Sequence, residues 1–125
     1  LKLIVELTEA PNLEELHRYV PLYRSFDIKL SLDDVGTDNP WCPAIQDVLP
    51  FMDSIKFAMQ NFRLQHRQKE LLPSLNAWRK IADMYQLGFT LEGIEDQSDV
   101  ALAQQYNAEI AQGYYYSKPV PYCAG

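Results

Sequence analysis

The sequence predicts an α/β domain built on a parallel sheet, and three observations carry that prediction. Short aliphatic runs alternate with helix-patterned stretches five times, the last helix missing. No long succession of strands occurs, and such alternation implies parallel strands joined by right-handed crossovers. Each run also ends in a residue able to do chemistry: Glu6, Asp33 with Asp34, Lys56, Glu92 and Gln112. An open doubly wound sheet and a stretch of a (β/α)8 TIM-type barrel both fit the alternation. Barrel active sites, however, draw on the ends of several different strands, whereas open sheets concentrate their groups at one switch point. The distribution over five strand ends therefore favours part of a barrel, with about five β-α units present.

Lys2 to Leu7 reads as the first strand. Asn12 has the position of an N-cap, with Glu15 placed for a capping box and Leu13, Leu16 and Val20 at helical spacing. Pro21 is expected to end or kink that helix. Ile28 to Asp33 forms the second strand, followed by a loop from Gly36 to Pro43 and a short helix near Ala44 to Leu49. Ser54 to Phe57 is the third strand. Pro73 is expected to split the next connection into an irregular helical segment, Asn61 to Leu72, and a cleaner helix opened by Ser74. That helix carries Leu75, Trp78, Ile81, Ala82 and Tyr85 on one stripe and stops at Gly88. Phe89 to Glu92 is the fourth strand, Ser98 caps a helix to about Tyr106, and a fifth strand begins at Glu109 and runs into Tyr114, Tyr115 and Tyr116.

With 125 residues, 47% of them apolar and 22% charged, the chain has the composition of one globular domain. It has no run of apolar residues long enough to span a bilayer, and no direct membrane contact is expected. The net charge of −6 argues against DNA or an anionic surface as a partner. An acidic protein can still hold a phosphate ligand if divalent cations bridge the two. Cys42 and Cys123 lack metal-ligand spacing and make a poor disulfide framework, which suits a reducing cytoplasm. His17 and His66 read as surface helix residues and Trp78 as core. Trp41 differs, because it follows the aspartate pair in a loop, where it could cover a ligand or a partner.

The strand-end groups are the informative feature. One acid at one strand end commonly caps the next helix, but five ends out of five require a better explanation. Glu6, Asp33, Asp34 and Glu92 are hard oxygen ligands of the kind Mg²⁺ or Mn²⁺ prefers, and Lys56 brings a positive charge among them. Carboxylates gathered this way are the raw material of a two-metal hydrolytic site acting on a phosphodiester. Lys56 would then orient a water or offset developing charge; a structural ion pair to a neighbouring acid is the competing reading.

The motifs in order resemble the EAL domain, the bacterial phosphodiesterase family that hydrolyses cyclic di-GMP to the linear dinucleotide pGpG. Glu6-Leu7-Thr8-Glu9, Leu32-Asp33-Asp34-Val35-Gly36-Thr37, Lys56, Leu91-Glu92-Gly93-Ile94-Glu95 and Gln112-Gly113-Tyr114 through Ser117-Lys118-Pro119 each match a segment of that family. The resemblance implies Glu6, Asp33, Asp34 and Glu92 as ligands of Mg²⁺ or Mn²⁺. It further implies Lys56 and Glu92 as catalytic groups, Gln112 at the ligand, and Glu9 and Glu95 as supports of the site loops. Residues 1–125 correspond to the C-terminal portion of a single such domain, with the N-terminal barrel strands, the eponymous Glu-Ala-Leu and a metal-binding Asn expected upstream. This portion alone is expected to be inactive.

Two departures from the family pattern matter. Ala58 stands where the family has an Asp, and Asp38-Asn39-Pro40-Trp41-Cys42-Pro43 replaces a Gly, aromatic and Ser-Ser loop. The expectation is a degenerate domain that binds cyclic di-GMP or a protein partner without efficient hydrolysis; the alternative is an active metal-dependent phosphodiesterase. The open sheet edges predict a homodimer or domain exchange.

Overall fold

The computed structural model describes residues 3–111. Gln112, Tyr114 to Tyr116 and Cys123 lie outside the described residues. Among the described residues five strands, β1 (Leu3–Leu7), β2 (Ile28–Leu32), β3 (Ser54–Ala58), β4 (Gly88–Glu92) and β5 (Glu109–Ile110), pair in parallel in sequence order. Helices α1 (Leu13–Ser25), α2 (Pro43–Val48), α3 (Met59–Leu64), α4 (Gln68–Tyr85) and α5 (Gln97–Gln105) fill the connections, with a single 3₁₀ turn at Leu49–Phe51. Sequential strand order with helical crossovers is the local pattern of a (β/α)8 barrel wall, here an arc of one.

The register assigns each strand residue to a face. Pairings of Glu6 with Ser31, Ser31 with Ser54, Lys56 with Thr90 and Ala58 with Glu92 put these residues on one side of the arc. The other side carries Leu30, Leu32, Ile55, Phe57, Phe89 and Leu91, all buried, in contact with the helical layer. There the stripe of α4 supplies Leu71, Leu75, Trp78 and Ala82, and Phe57 stacks on Phe62 of α3 with ring centroids 5.1 Å apart. Burying each of these large side chains contributes about 1.5–3 kcal/mol, so the helix-facing side holds the arc together.

Several sequence expectations need correction. Neither proline breaks its helix: Pro21 lies inside α1 and Pro73 inside α4. Both are solvent-exposed, so the carbonyl each leaves unpaired is free to meet water while the buried stripe of the helix stays intact. The real interruption falls at Gln65–Arg67, where His66 takes a left-handed φ of 57° and so lies in a turn rather than a helix. Helix α4 stops through Gln86 in the left-handed conformation, φ 58°, not through Gly88, which opens β4 with its Cα beside the Ser54 side chain. Asp96 rather than Ser98 caps α5, accepting from the Asp99 N–H at 3.0 Å. The Asn12 cap stands as expected, its carbonyl oxygen accepting from the Glu14 and Glu15 N–H groups.

Candidate functional site

Strand β1 ends in Glu6, β3 in Lys56 and Ala58, and β4 in Glu92, all on the face turned away from the helices. Asp33 continues β2 onto the same face, its N–H donating to the Leu7 carbonyl at 2.8 Å. Asp34 would by strand geometry point to the opposite face. Its backbone instead adopts a left-handed φ of 55°, a turn that brings the two acids towards one space. This conformation costs a non-glycine residue about 1 kcal/mol or more, and the loop holds it. The Asp34 carbonyl accepts from the Asn39 N–H at 3.0 Å, and the Asn39 side chain donates to the carbonyls of Asp33, at 2.7 Å, and Thr8, at 3.0 Å. Asn39 is 4% exposed and ties the loop after β1 to the loop after β2.

Charges on this face are unbalanced. Among the described residues, Glu6, Asp33, Asp34 and Glu92 face one cation, Lys56, whose ammonium is hydrogen-bonded to Glu6 Oε2. Burial, then the charge of Glu6, with smaller contributions from Glu92 and Asp34, pushes Asp33 up to about 6 against the pull of Lys56. Burial also raises Glu92, with Asp34 and Glu6 adding to it and Lys56 opposing. Lys56 is pulled down by burial, but its hydrogen bond to Glu6 and the charges of Glu6, Asp33 and Glu92 outweigh that and raise it. Asp33 Oδ1 is buried and has no hydrogen-bond partner among the described residues.

A buried carboxylate oxygen with nothing to accept from, beside three further acids, has the donor chemistry for a hard cation. The set is nonetheless open: among the described residues no three His, Cys, Asp or Glu side chains are posed closely enough to hold a metal ion. Lys56 occupies Glu6. Ala58, fully buried and paired in register with Glu92, presents only a methyl group to this face.

The supporting residues divide. Glu95 lies 3.5 Å from Arg63, and Arg63 also donates to both oxygens of Asp99 at 2.9 Å and to the Gly93 carbonyl at 2.9 Å. This network fixes the loop after β4. Glu9 is exposed and makes no hydrogen bond or ion pair among the described residues. Trp41 is half exposed and edge-on to Trp78 of α4 at 5.9 Å.

Sequence reasoning missed Asn39, Asn61, Arg63 and Asp99. Asn61, in the first turn of α3, donates from Nδ2 to Asp34 Oδ1 at 2.9 Å and to Thr37 Oγ1 at 3.2 Å. One signal was available: a polar residue in the first turn after a barrel strand sits at the rim where barrel sites form. The acids were found because they repeat at strand ends, a pattern that amides in loops do not share.

The EAL domain family model matches residues 1–119. The chain is 27% identical over 123 residues to the oxygen sensor protein DosP of Escherichia coli K12, which it matches over 96% of its own length and 15% of the relative's. It is 26% identical over 125 residues to the probable cyclic di-GMP phosphodiesterase PdeD of the same organism, covering 96% of this chain and 22% of that protein. To the cyclic di-GMP phosphodiesterase NbdA of Pseudomonas aeruginosa PAO1 it is 27% identical over 126 residues, 96% of this chain and 16% of the relative. The chain thus spans less than a quarter of each of these relatives. Among solved structures, it is similar to a standalone versatile EAL protein from Vibrio cholerae O395 in a c-di-GMP-bound form, with a TM-score of 0.65 at 21% identity over 86% of this chain and 46% of that one. An EAL domain protein from Listeria monocytogenes EGD-e gives 0.65 at 21% over 97% and 48%. These likenesses establish the fold as part of an EAL-type barrel. Among the described residues no helix is long and apolar enough to cross a membrane.

Proposed function

The chain belongs to the EAL domain family, and on that premise we propose that it forms the C-terminal part of a domain that binds cyclic di-GMP at the strand ends without hydrolysing it efficiently. The observation that carries this reading is Ala58. Its register pairing with Glu92 places a methyl group on the acidic face, where a carboxylate would accept a hydrogen bond or join a cation's shell. The acids present, Glu6, Asp33, Asp34 and Glu92, would hold Mg²⁺ or Mn²⁺, and the unpartnered Asp33 Oδ1 is the strongest single support for a cation there. When bound, such an ion supplies charge neutralisation for the dinucleotide's phosphates and an acidified water. Lys56, held by Glu6, orients a polar group at the face and keeps its own charge through neutral pH.

A second reading, an active phosphodiesterase, is favoured by one specific observation. Four acids remain together at a cost visible in the raised pKa of Asp33, and a scaffold released from cation binding gains nothing by keeping them. The test is incubation of the intact protein that carries this chain with Mn²⁺ and cyclic di-GMP. Binding by calorimetry with no pGpG released is the expected result; steady release of pGpG would establish the second reading, and the absence of any binding would overturn both. Association through the sheet edge belongs to the same proposal. Leu3 and Ile4 of β1 are 55% and 57% exposed, and the outer edge of β1 pairs with no described strand, which supports docking of a second chain or of further barrel strands there.

A further inference from the structure

We infer that Asn61 is a positioning residue for Asp34, fixing one carboxylate oxygen while leaving the acid's charge available to a cation. The inference rests on the divalent-cation reading given above and extends it to a residue outside the acidic set. Asn61 is half-buried, and its Nδ2 divides between Asp34 Oδ1 at 2.9 Å and Thr37 Oγ1 at 3.2 Å. The Thr37 hydroxyl in turn donates to the Asp34 carbonyl at 3.3 Å, and the Asn39 N–H donates to the same carbonyl at 3.0 Å. Asp34 is therefore gripped at both ends, the backbone by its own loop and the side chain by α3.

The choice of partner gives the grip its meaning. Glu6 on the same face is held by the ammonium of Lys56, which neutralises the charge it orients. An amide orients without neutralising, because it brings a dipole and no net charge. Asp34 is also the acid that most needs holding. Its left-handed φ of 55° has no intrinsic preference to persist, and strand geometry alone would aim it at the helical layer. Asn61 comes from a different element than Asp34, so it fixes the acid relative to β3 and β4 rather than only to its own loop.

The experiment is Mn²⁺ titration of the intact protein by calorimetry, with thermal unfolding in parallel, for wild type, Asn61→Leu and Thr37→Val. Leucine keeps the volume and removes the donor; valine removes the Thr37 hydroxyl, with its bond to the Asp34 carbonyl and the contact it accepts from Asn61, and leaves the Asn61–Asp34 bond. Loss of a residue that orients a metal ligand costs about 10–100-fold in metal affinity. Asn61→Leu is expected to weaken Mn²⁺ binding by at least about tenfold, and Thr37→Val by less than about threefold, with metal-free melting within a few degrees of wild type for both. Should Asn61→Leu not fold, Asn61→Ala is read in its place. Undiminished Mn²⁺ binding by the Asn61 variant overturns the inference and leaves the cation reading standing, as does an equal loss in Thr37→Val, which would reduce Asn61 to a loop tether. A wild-type protein that binds no Mn²⁺ overturns both together.

Discussion

Two acidic clusters flank the end of β4, and they are built to opposite rules. Beyond it, in the first turn of α5, Asp99 is buried, yet Arg63 donates to both its oxygens, the Glu95 N–H adds a further bond, and the same guanidinium reaches Gly93. Every charge there has a partner. Across the strand end, among the described residues, Glu6, Asp33, Asp34 and Glu92 share one cation, Lys56, and one oxygen of Asp33 has nothing to accept from. A paired acid serves as scaffold. Asp33, left short of partners, has its pKa raised instead, so neutralisation rather than mere acidity separates the two clusters.

The comparison can be broken from the scaffold side. Arg63→Met would leave Asp99 buried beside Glu95 with no cation, at a cost of about 3 kcal/mol, read as a lower urea midpoint. An unchanged midpoint would mean that the Arg63 network supports nothing. From the site side, Mn²⁺ at about a hundred times its dissociation constant should stabilise the protein by about 2.7 kcal/mol. Chelation with EDTA should reverse this gain, and Asp33→Asn should abolish it. If Asp33→Asn keeps the full gain, Asp33 is not a ligand.

A smaller effect tests the charge imbalance directly. Asp33 has its folded pKa raised to about 6, so the stability it contributes is present below its unfolded value and is lost as pH rises through about 6. Metal-free Asp33→Asn should therefore be more stable than wild type at pH 7.5, and the difference should vanish towards pH 4. For a carboxyl that is only partly buried the gain is about 1 kcal/mol, discounted from the full shift for screening. Melting curves at both pH values decide it, and a difference that grows towards pH 4 would reverse the assignment. The least effect belongs to Glu70→Gln. The Arg67–Glu70 pair is a solvent-facing contact across the start of α4, and its loss should leave the melting temperature unchanged.

The acidic face was legible in the sequence because its members recur at equivalent places, the last residues of successive strands, and a parallel arc brings equivalent places together. Alternation also foretold the sheet, and the stripe of α4 foretold the core under it. The prolines misled because propensity treats a missing N–H as a break. In α1 and α4 that loss falls on the solvent side while the buried side continues, and packing outweighs one hydrogen bond.

By itself, then, the sequence determined the family, the order of strands and the four acids with their lysine, since each depends on residue type and short-range spacing. Only the tertiary structure decided how those acids are held. The left-handed turn at Asp34 is one such feature; the amide of Asn61 reaching it from α3, the Asn39 bridge between two loops and the satisfied Arg63–Asp99 pair join residues 6 to 36 positions apart. Such contacts follow from where the folded backbone brings two side chains, which no local pattern encodes.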